Sequence, residues 1–287
     1  MTRVAYVNGR YRPHADATVH VEDRGFQFAD GVYEVWAVLD GRLCDAEGHF
    51  ARLERSLGEL SIRPPRSRAA LLAILRETLR RNRVRDGMVY LQITRGTAPR
   101  DHAFPAPDTA PTVVVTAKPL DPDKLEAGAA KGVAVITAQD QRWGRCDIKT
   151  VGLLPNVLAK QAARAAGAYE AWLVDGEGRI TEGASTNAWI VDAKGRLRTR
   201  DTDANILRGI TRAELIAAAG EVQLHVDERP FTVDEARGAR EAFLTAASAF
   251  VTPVVSIDGQ PVGDGRPGPV ARRLRALYLD RARRNAL

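Results

Sequence analysis

The chain has 287 residues, of which 45% are hydrophobic and 27% charged, with 42 Lys plus Arg against 36 Asp plus Glu for a formal net charge of +6. This balance excludes a mainly disordered chain and leaves room for one large domain or two medium ones. No apolar run reaches the roughly 18 residues that span a bilayer, and residues 1–8 lack a signal peptide's apolar stretch, so a cytoplasmic protein with no membrane contact is expected.

Residues 4–11 read as a hairpin, because Asn8-Gly9 tolerates the positive φ that a two-residue turn needs. A helix over 47–62 follows, with Phe50, Leu53, Leu57 and Leu60 on one face and Arg63-Pro64-Pro65 as its stop. Leu71, Leu72, Leu75 and Leu79 form the stripe of a second helix, and 88–95 and 112–117 read as strands. The spacing of Pro119 and Pro122 among acids suggests a linker over 120–124 between domains spanning 1–119 and 125–287. In the second domain, 132–138, 169–174, 179–182, 187–191, 241–245 and 253–257 read as strands, and 154–166 and 210–219 as helices. A last helix carries Val270, Leu274, Leu277 and Tyr278 on its apolar side. The whole is α+β, with a small N-terminal domain and a larger, sheet-rich C-terminal one.

The net charge is local. Residues 266–287 hold seven Arg and one Asp, while the preceding 265 residues balance at 35 against 35. The apolar stripe within this tail marks a packed helix with a solvated arginine face, and the few aromatics are not interleaved with cations, so no nucleic-acid partner is expected. The two cysteines, Cys44 and Cys146, and the five histidines show no ligand spacing, so no metal site is expected.

Several segments carry side chains suited to chemistry. Lys149, one of six lysines in the chain, closes the run Arg142-Trp143-Gly144-Arg145-Cys146-Asp147-Ile148. A lysine becomes a nucleophile when burial or neighbouring cations lower its pKa, although an isolated lysine is most often solvated. Thr181-Glu182-Gly183-Ala184-Ser185-Thr186-Asn187 places an acid at a strand end before a small-residue turn. Leu207-Arg208-Gly209-Ile210-Thr211-Arg212 opens a helix whose free amides and threonine hydroxyl suit either a phosphate or an ordinary cap. Residues 22–34 are too rich in glycine, acids and aromatics for a plain core strand. Arg100 and His102 sit two residues apart in a stiff loop, a pattern that suits a carboxylate or a solvated turn.

Taken together and in this order, these segments resemble the class IV, fold-type IV pyridoxal-phosphate aminotransferases, and within them the D-amino-acid transaminase branch. The resemblance covers essentially the whole chain and rests on 22–34, 49–55, 94–102, 142–149, 181–187, 207–212 and 243–252. It implies two domains with pyridoxal 5'-phosphate in the cleft between them. It makes Lys149 the catalytic lysine that carries the cofactor and Glu182 the partner of the ring nitrogen. It also places Arg52, Ile210 and Thr211 at the phosphate and Leu207 against the ring. Where relatives carry more hydroxyls, this chain has Thr245-Ala246-Ala247-Ser248 and Ala184, which leaves backbone at Ala247 and the hydroxyl of Ser185 as further cofactor contacts. Tyr33, with Arg100 and His102 from a neighbouring subunit of a homodimer, would bind the substrate carboxylate. The implied reaction moves the amino group of a D-amino acid to a 2-oxo acid, with 2-oxoglutarate the expected acceptor, in a ping-pong sequence. Branched-chain L-amino-acid transaminase, (R)-amine transaminase and aminodeoxychorismate lyase share the scaffold. The Arg100-x-His102 pattern with Tyr33 favours the D-amino-acid branch, because an amine substrate has no carboxylate to bind.

Overall fold

A computed structural model of the chain describes residues 3–202 and 205–287. The chain divides into two compact units. The first comprises Met1–Asp121, Ile148–Gly152 and Ala286–Leu287, and the second Pro122–Asp147 and Leu153–Asn285.

In the first unit, β1 (Val4–Val7) and β2 (Arg10–Pro13) form the hairpin expected at Asn8-Gly9. They join β3 (Gly31–Leu39), β4 (Arg42–Leu43), β5 (Gly87–Thr94) and β6 (Thr112–Pro119) in an antiparallel sheet of order β2-β1-β6-β5-β3-β4. Alternation along β5 buries Val89, Leu91 and Ile93 on one face. A short helix, α1 (Arg24–Phe28), precedes β3, with Asp23 accepting from the Gly25 amide as its N-cap. The apolar core of the unit joins the β5 residues to α2 (Ala46–Glu59), through Phe50, Leu53 and Leu57, and to α3 (Arg68–Asn82), through Leu71, Leu75 and Leu79. Residues 22–34 thus supply a cap, a short helix and the start of a central strand, which explains their mixed composition.

Two expectations about the domain division are corrected. Residues 120–124 are not an irregular linker, because Pro122 opens α4 (Pro122–Lys131). A proline is tolerated at a helix start, where its missing N–H has no intrahelical partner. Residues 148–152 belong to the first unit, although the sequence placed them in 125–287. Ile148 is buried in that unit's core, the Lys149 carbonyl accepts from Tyr33 N at 3.0 Å, and Val151 N donates to Gly31 O at 3.1 Å.

The second unit contains β7 (Val133–Gln139), α5 (Leu154–Ala165), β8 (Glu170–Val174), β9 (Arg179–Gly183), β10 (Asn187–Val191), β11 (Leu197–Thr199), α6 (Ile210–Glu221), β12 (Val226–Glu228), β13 (Phe231–Thr232), α7 (Val233–Arg237), β14 (Glu241–Ala246), β15 (Phe250–Ile257), β16 (Gln260–Pro261) and α8 (Pro269–Arg284). Its mixed ten-stranded sheet runs β12-β11-β10-β14-β15-β7-β8-β9-β13, with β16 on β15. The central strands are buried nearly throughout. All five residues of β10 are buried, so the strand reads as an apolar run rather than an alternating one.

The basic tail becomes α8. It buries Ala271, Leu274, Tyr278 and Ala282, and Arg275 also turns inward, donating to Val251 O at 2.8 Å and to Glu126 at 3.0 Å. Glu241 of β14 caps this helix, accepting from Val270 N at 3.0 Å and Ala271 N at 2.9 Å. Glu241→Ala is expected to lower stability by about 1–2 kcal/mol, the usual cost of losing a good N-cap. An unchanged urea midpoint would show that the cap contributes nothing. No helix among the described residues is long and apolar enough to cross a membrane.

Candidate active site

The first unit holds Lys149, Tyr33, Arg52, Arg100 and His102. Lys149 lies beside β3, with Val32 and Thr150 forming an isolated bridge and the Lys149 amide 3.4 Å from Ser56 Oγ. Its Nζ sits 4.2 Å from the centre of the Tyr33 ring, a cation–π contact that restrains the ammonium without consuming any of its N–H donors. Tyr33 stacks in turn on Tyr90, with ring centres 5.5 Å apart. Burial, helped by Tyr33, pushes the Tyr90 phenol up, and its hydroxyl donates to Gln92 at 2.7 Å. Of the site residues expected from sequence, Lys149 and Tyr33 are thus brought into direct contact.

Arg52 is not the surface charge that a helical arginine commonly is. His49 and Arg52, three residues apart on α2, face Glu34 of β3, whose carboxylate is fully buried. Arg52 Nε donates to Glu34 Oε1 at 2.7 Å and Nη2 to Oε2 at 2.9 Å, and His49 Nδ1 lies 2.8 Å from Oε2. Burial raises the Glu34 carboxyl, but the Arg52 charge and bonds outweigh it and hold the group well below the usual carboxylate range. Burial also lowers His49, against the pull of Glu34. The arginine expected at a phosphate is therefore clamped by a carboxylate, which fixes the direction of its guanidinium.

Arg100 and His102 are exposed on the loop between β5 and β6. The Arg100 guanidinium lies 4.6 Å from the centre of the Phe28 ring, and the His102 ring 5.5 Å from it.

The second unit holds Glu182, Ser185, Leu207, Ile210, Thr211 and Ala247. Glu182, near the end of β9, accepts from Arg142 Nη1, from Asn187 Nδ2 at 3.0 Å and from the Leu207 amide at 3.1 Å. Arg142 is itself held by Asp140, with bonds of 2.9 and 2.7 Å, and by the Asn205 carbonyl at 3.0 Å. Asn187 Nδ2 also donates to Leu207 O at 3.0 Å, tying the acid to the 205–209 segment. A Cβ on Gly209 would lie 1.9 Å from Asn187 Oδ1, so this close approach requires glycine. Asn187 and Arg142 lie in segments prominent in the sequence, yet their pairing with Glu182 spans 5 and 40 residues, and no local pattern announces it.

Gly209 is the N-cap of α6 and supplies no side-chain acceptor, so the first amides of the helix are left for another partner. Thr211, in the first turn, is 3% exposed, and its Oγ1 has no hydrogen-bond partner. Thr186 Oγ1 is likewise buried and unpartnered. A buried hydroxyl left unsatisfied costs about 1–3 kcal/mol. Two such hydroxyls, in the segments that also carry the Glu182 carboxylate and this helix start, fit an anionic, nitrogen-containing group such as pyridoxal phosphate. Ala247 lies in the turn joining β14 and β15, where Ala249 N donates to Ala246 O at 3.2 Å.

Ser185 is engaged with Glu170. It is exposed, and its hydroxyl donates to Glu170 at 2.7 Å while its amide donates to the same carboxylate at 3.2 Å. Its proton is committed to a buried acid, and the unpartnered hydroxyl of this turn belongs to Thr186. Cys146 is no rival nucleophile: burial pushes its thiol up to about 11, and Sγ donates to Trp143 O at 3.0 Å. Among the described residues no group of three or more His, Cys, Asp or Glu is placed to hold a metal ion.

Residues 31–257 match the family model described as amino-transferase class IV. The chain is 42% identical to the D-alanine aminotransferase of Bacillus licheniformis over 267 residues, 93% of each protein. It is 40% identical to that of Staphylococcus haemolyticus over 276 residues, 96% of this chain and 95% of the relative. Among solved structures it resembles the branched-chain amino acid aminotransferase of Escherichia coli, at TM-score 0.87 and 26% identity, covering 98% of this chain and 95% of that one. A branched-chain amino acid aminotransferase of T.th., solved with pyridoxamine 5'-phosphate, gives TM-score 0.88 at 29% identity, covering 98% and 94%. The chain belongs to the class IV aminotransferases.

Proposed function

We propose that the protein is a D-amino-acid transaminase of the D-alanine type, passing the amino group of a D-amino acid to a 2-oxo acid such as 2-oxoglutarate. The observation that carries the reading is Lys149 against Tyr33 in a unit that also presents Arg100 and His102 as paired carboxylate donors. Identity of 42% to a D-alanine aminotransferase, against 29% or less to the branched-chain enzymes named above, supports the same choice. The shared scaffold alone does not separate them, because fold and function are set by different residues.

Pyridoxal phosphate, when bound, supplies the group that takes up the amino nitrogen and a ring that accepts electrons. Arg52, the amides of Ile210 and Thr211, the Thr211 hydroxyl and the backbone at Ala247 would hold its phosphate, and Leu207 would lie against the ring. Glu182 would keep a proton on the ring nitrogen, since Arg142 and Asn187 maintain it as an oriented carboxylate. Lys149 Nζ would take the proton from the substrate Cα as general base and, as general acid, return it to the cofactor carbon on the other side of the amino nitrogen. Tyr33, with Arg100 and His102, orients the substrate carboxylate, and that orientation decides which enantiomer turns its proton toward Lys149.

The exposure of Arg100 and His102 suits donation to a second subunit. Large apolar side chains stand exposed in the same unit, Val21 at 69%, Phe26 at 72% and Phe104 at 64%, which supports a homodimer built around that loop. Adding D-alanine, L-leucine and (R)-1-phenylethylamine separately to the holoenzyme and following the visible absorbance tests the substrate class. Bleaching is expected with D-alanine, and bleaching by L-leucine alone would refute the reading.

A further inference from the structure

We propose that Arg24 is a positioning residue for the substrate carboxylate, acting through the backbone of the Arg100–His102 loop with Phe28 as the surface on which Arg100 lies. The inference rests on the reading that Arg100 and His102 receive that carboxylate.

Arg24 is 3% exposed, and a guanidinium so buried must find partners for its donors. It donates from Nε to Asp30 at 2.8 Å, from Nη1 to the Asp101 carbonyl at 2.7 Å and from Nη2 to the His102 carbonyl at 3.5 Å. Asp30 is shared with Arg95, which donates to it at 2.7 and 2.9 Å and also to Leu60 O at 2.7 Å and Ser61 O at 3.1 Å. Asp30 is therefore fixed by the residues that follow α2 and transmits that rigidity through Arg24 to residues 101 and 102. The stem of the loop is tied as well, with Arg24 N donating to Gly96 O at 2.9 Å and Thr94 Oγ1 to Asp23 at 2.9 Å.

An exposed arginine on an untethered loop loses backbone and rotamer freedom when it binds an anion, and that loss weakens binding. Here the two residues that follow Arg100 are pinned by their carbonyls. The Arg100 guanidinium rests against the Phe28 ring, 4.6 Å from its centre, and Arg24 lies 4.8 Å from the centre of the same ring. The guanidiniums of Arg24 and Arg95 are both held by Asp30, whereas that of Arg100 lies on the Phe28 ring at the exposed side of the loop, where it can meet an incoming carboxylate.

The test compares Arg24→Gln, Arg100→Ala and the double variant on D-alanine and on D-alaninamide, which lacks the carboxylate. Arg24→Gln is expected to raise KM for D-alanine about tenfold with kcat within about twofold, leaving D-alaninamide unchanged. Because Arg24 acts through Arg100, the double variant should be no worse than Arg100→Ala alone. Equal losses on both substrates, or full additivity in the double variant, would overturn the proposal. A normal KM for D-alanine in Arg100→Ala would instead remove the carboxylate reading itself, and the inference with it. Should Arg24→Gln not fold, Phe28→Leu leaves the Arg24 bonds in place and is expected to raise the D-alanine KM selectively. An unchanged value there would equally overturn it.

Discussion

Lys149→Ala is expected to reduce transamination by about a thousandfold or more, the combined loss of a positioned general base and a covalent attachment point. The fold should survive the change. The segment around Lys149 is held by backbone bonds to Tyr33 and Gly31 and by buried Ile148, none of which involves Nζ. The side chain adds its contact with the Tyr33 ring, so circular dichroism and the urea midpoint should stay close to those of the parent protein. Borohydride reduction of the holoenzyme, followed by trypsin, should leave the cofactor on the peptide spanning residues 146–160, since a modified Lys149 is no longer cut. A label on Lys160, the other lysine of that peptide, would remove Lys149 from its role. Lys160 is engaged instead with Tyr169 O at 2.6 Å and Glu170 at 3.2 Å.

Arg52→Ala should have the largest effect on stability. It leaves the fully buried Glu34 carboxylate with His49 and the Val35 amide, and breaking one side of a buried ion pair costs about 3–5 kcal/mol. Glu34→Gln combined with Arg52→Ala should recover part of that loss, because no unpaired charge is then buried. If the double variant is less stable than Arg52→Ala, the ion pair is not the source of the effect. Cofactor affinity should fall in Arg52→Ala as well, since this guanidinium, aimed by Glu34, is the one proposed for the phosphate.

The same triad predicts a pH dependence. Glu34 has a folded-state pKa below its unfolded value, so its contribution is complete above the unfolded carboxylate range and is lost as pH falls through the lower folded value. His49, lowered by burial, stays neutral in the folded state after the unfolded chain, near 6.5, has begun to take up its proton. Both effects weaken the fold on the acid side. Urea denaturation from pH 7 downward should show stability declining first below about 6.5, and His49→Gln should flatten that first stage. A slope unchanged in His49→Gln would assign it to another group.

Much of the fold was legible in the sequence because its elements bury one face with a simple period. The α2 and α3 stripes and the alternation in β5 are of this kind. The Asn8-Gly9 hairpin was legible for a different reason, the backbone freedom of its turn residues. What failed were places where local signals conflict with packing. Pro122 reads as a breaker and begins a helix, and residues 31–34 belong to a stretch that looks too mixed for a core strand yet open the central β3.

The candidate site divides in the same way. The sequence itself carries Lys149, Glu182, Leu207, Ile210, Thr211, Arg100 and His102 in short segments that each admit a plain structural reading, and only their common order resembles one family. Only the tertiary structure decided their partners. It put Glu34 against Arg52, Arg142 and Asn187 on Glu182, Arg24 beneath the Arg100–His102 loop, and Ser185 on Glu170 rather than free. These pairings join residues up to 78 positions apart. A charge on a helix or loop looks the same in sequence whether it meets water or a buried carboxylate, and only the fold brings that carboxylate to it.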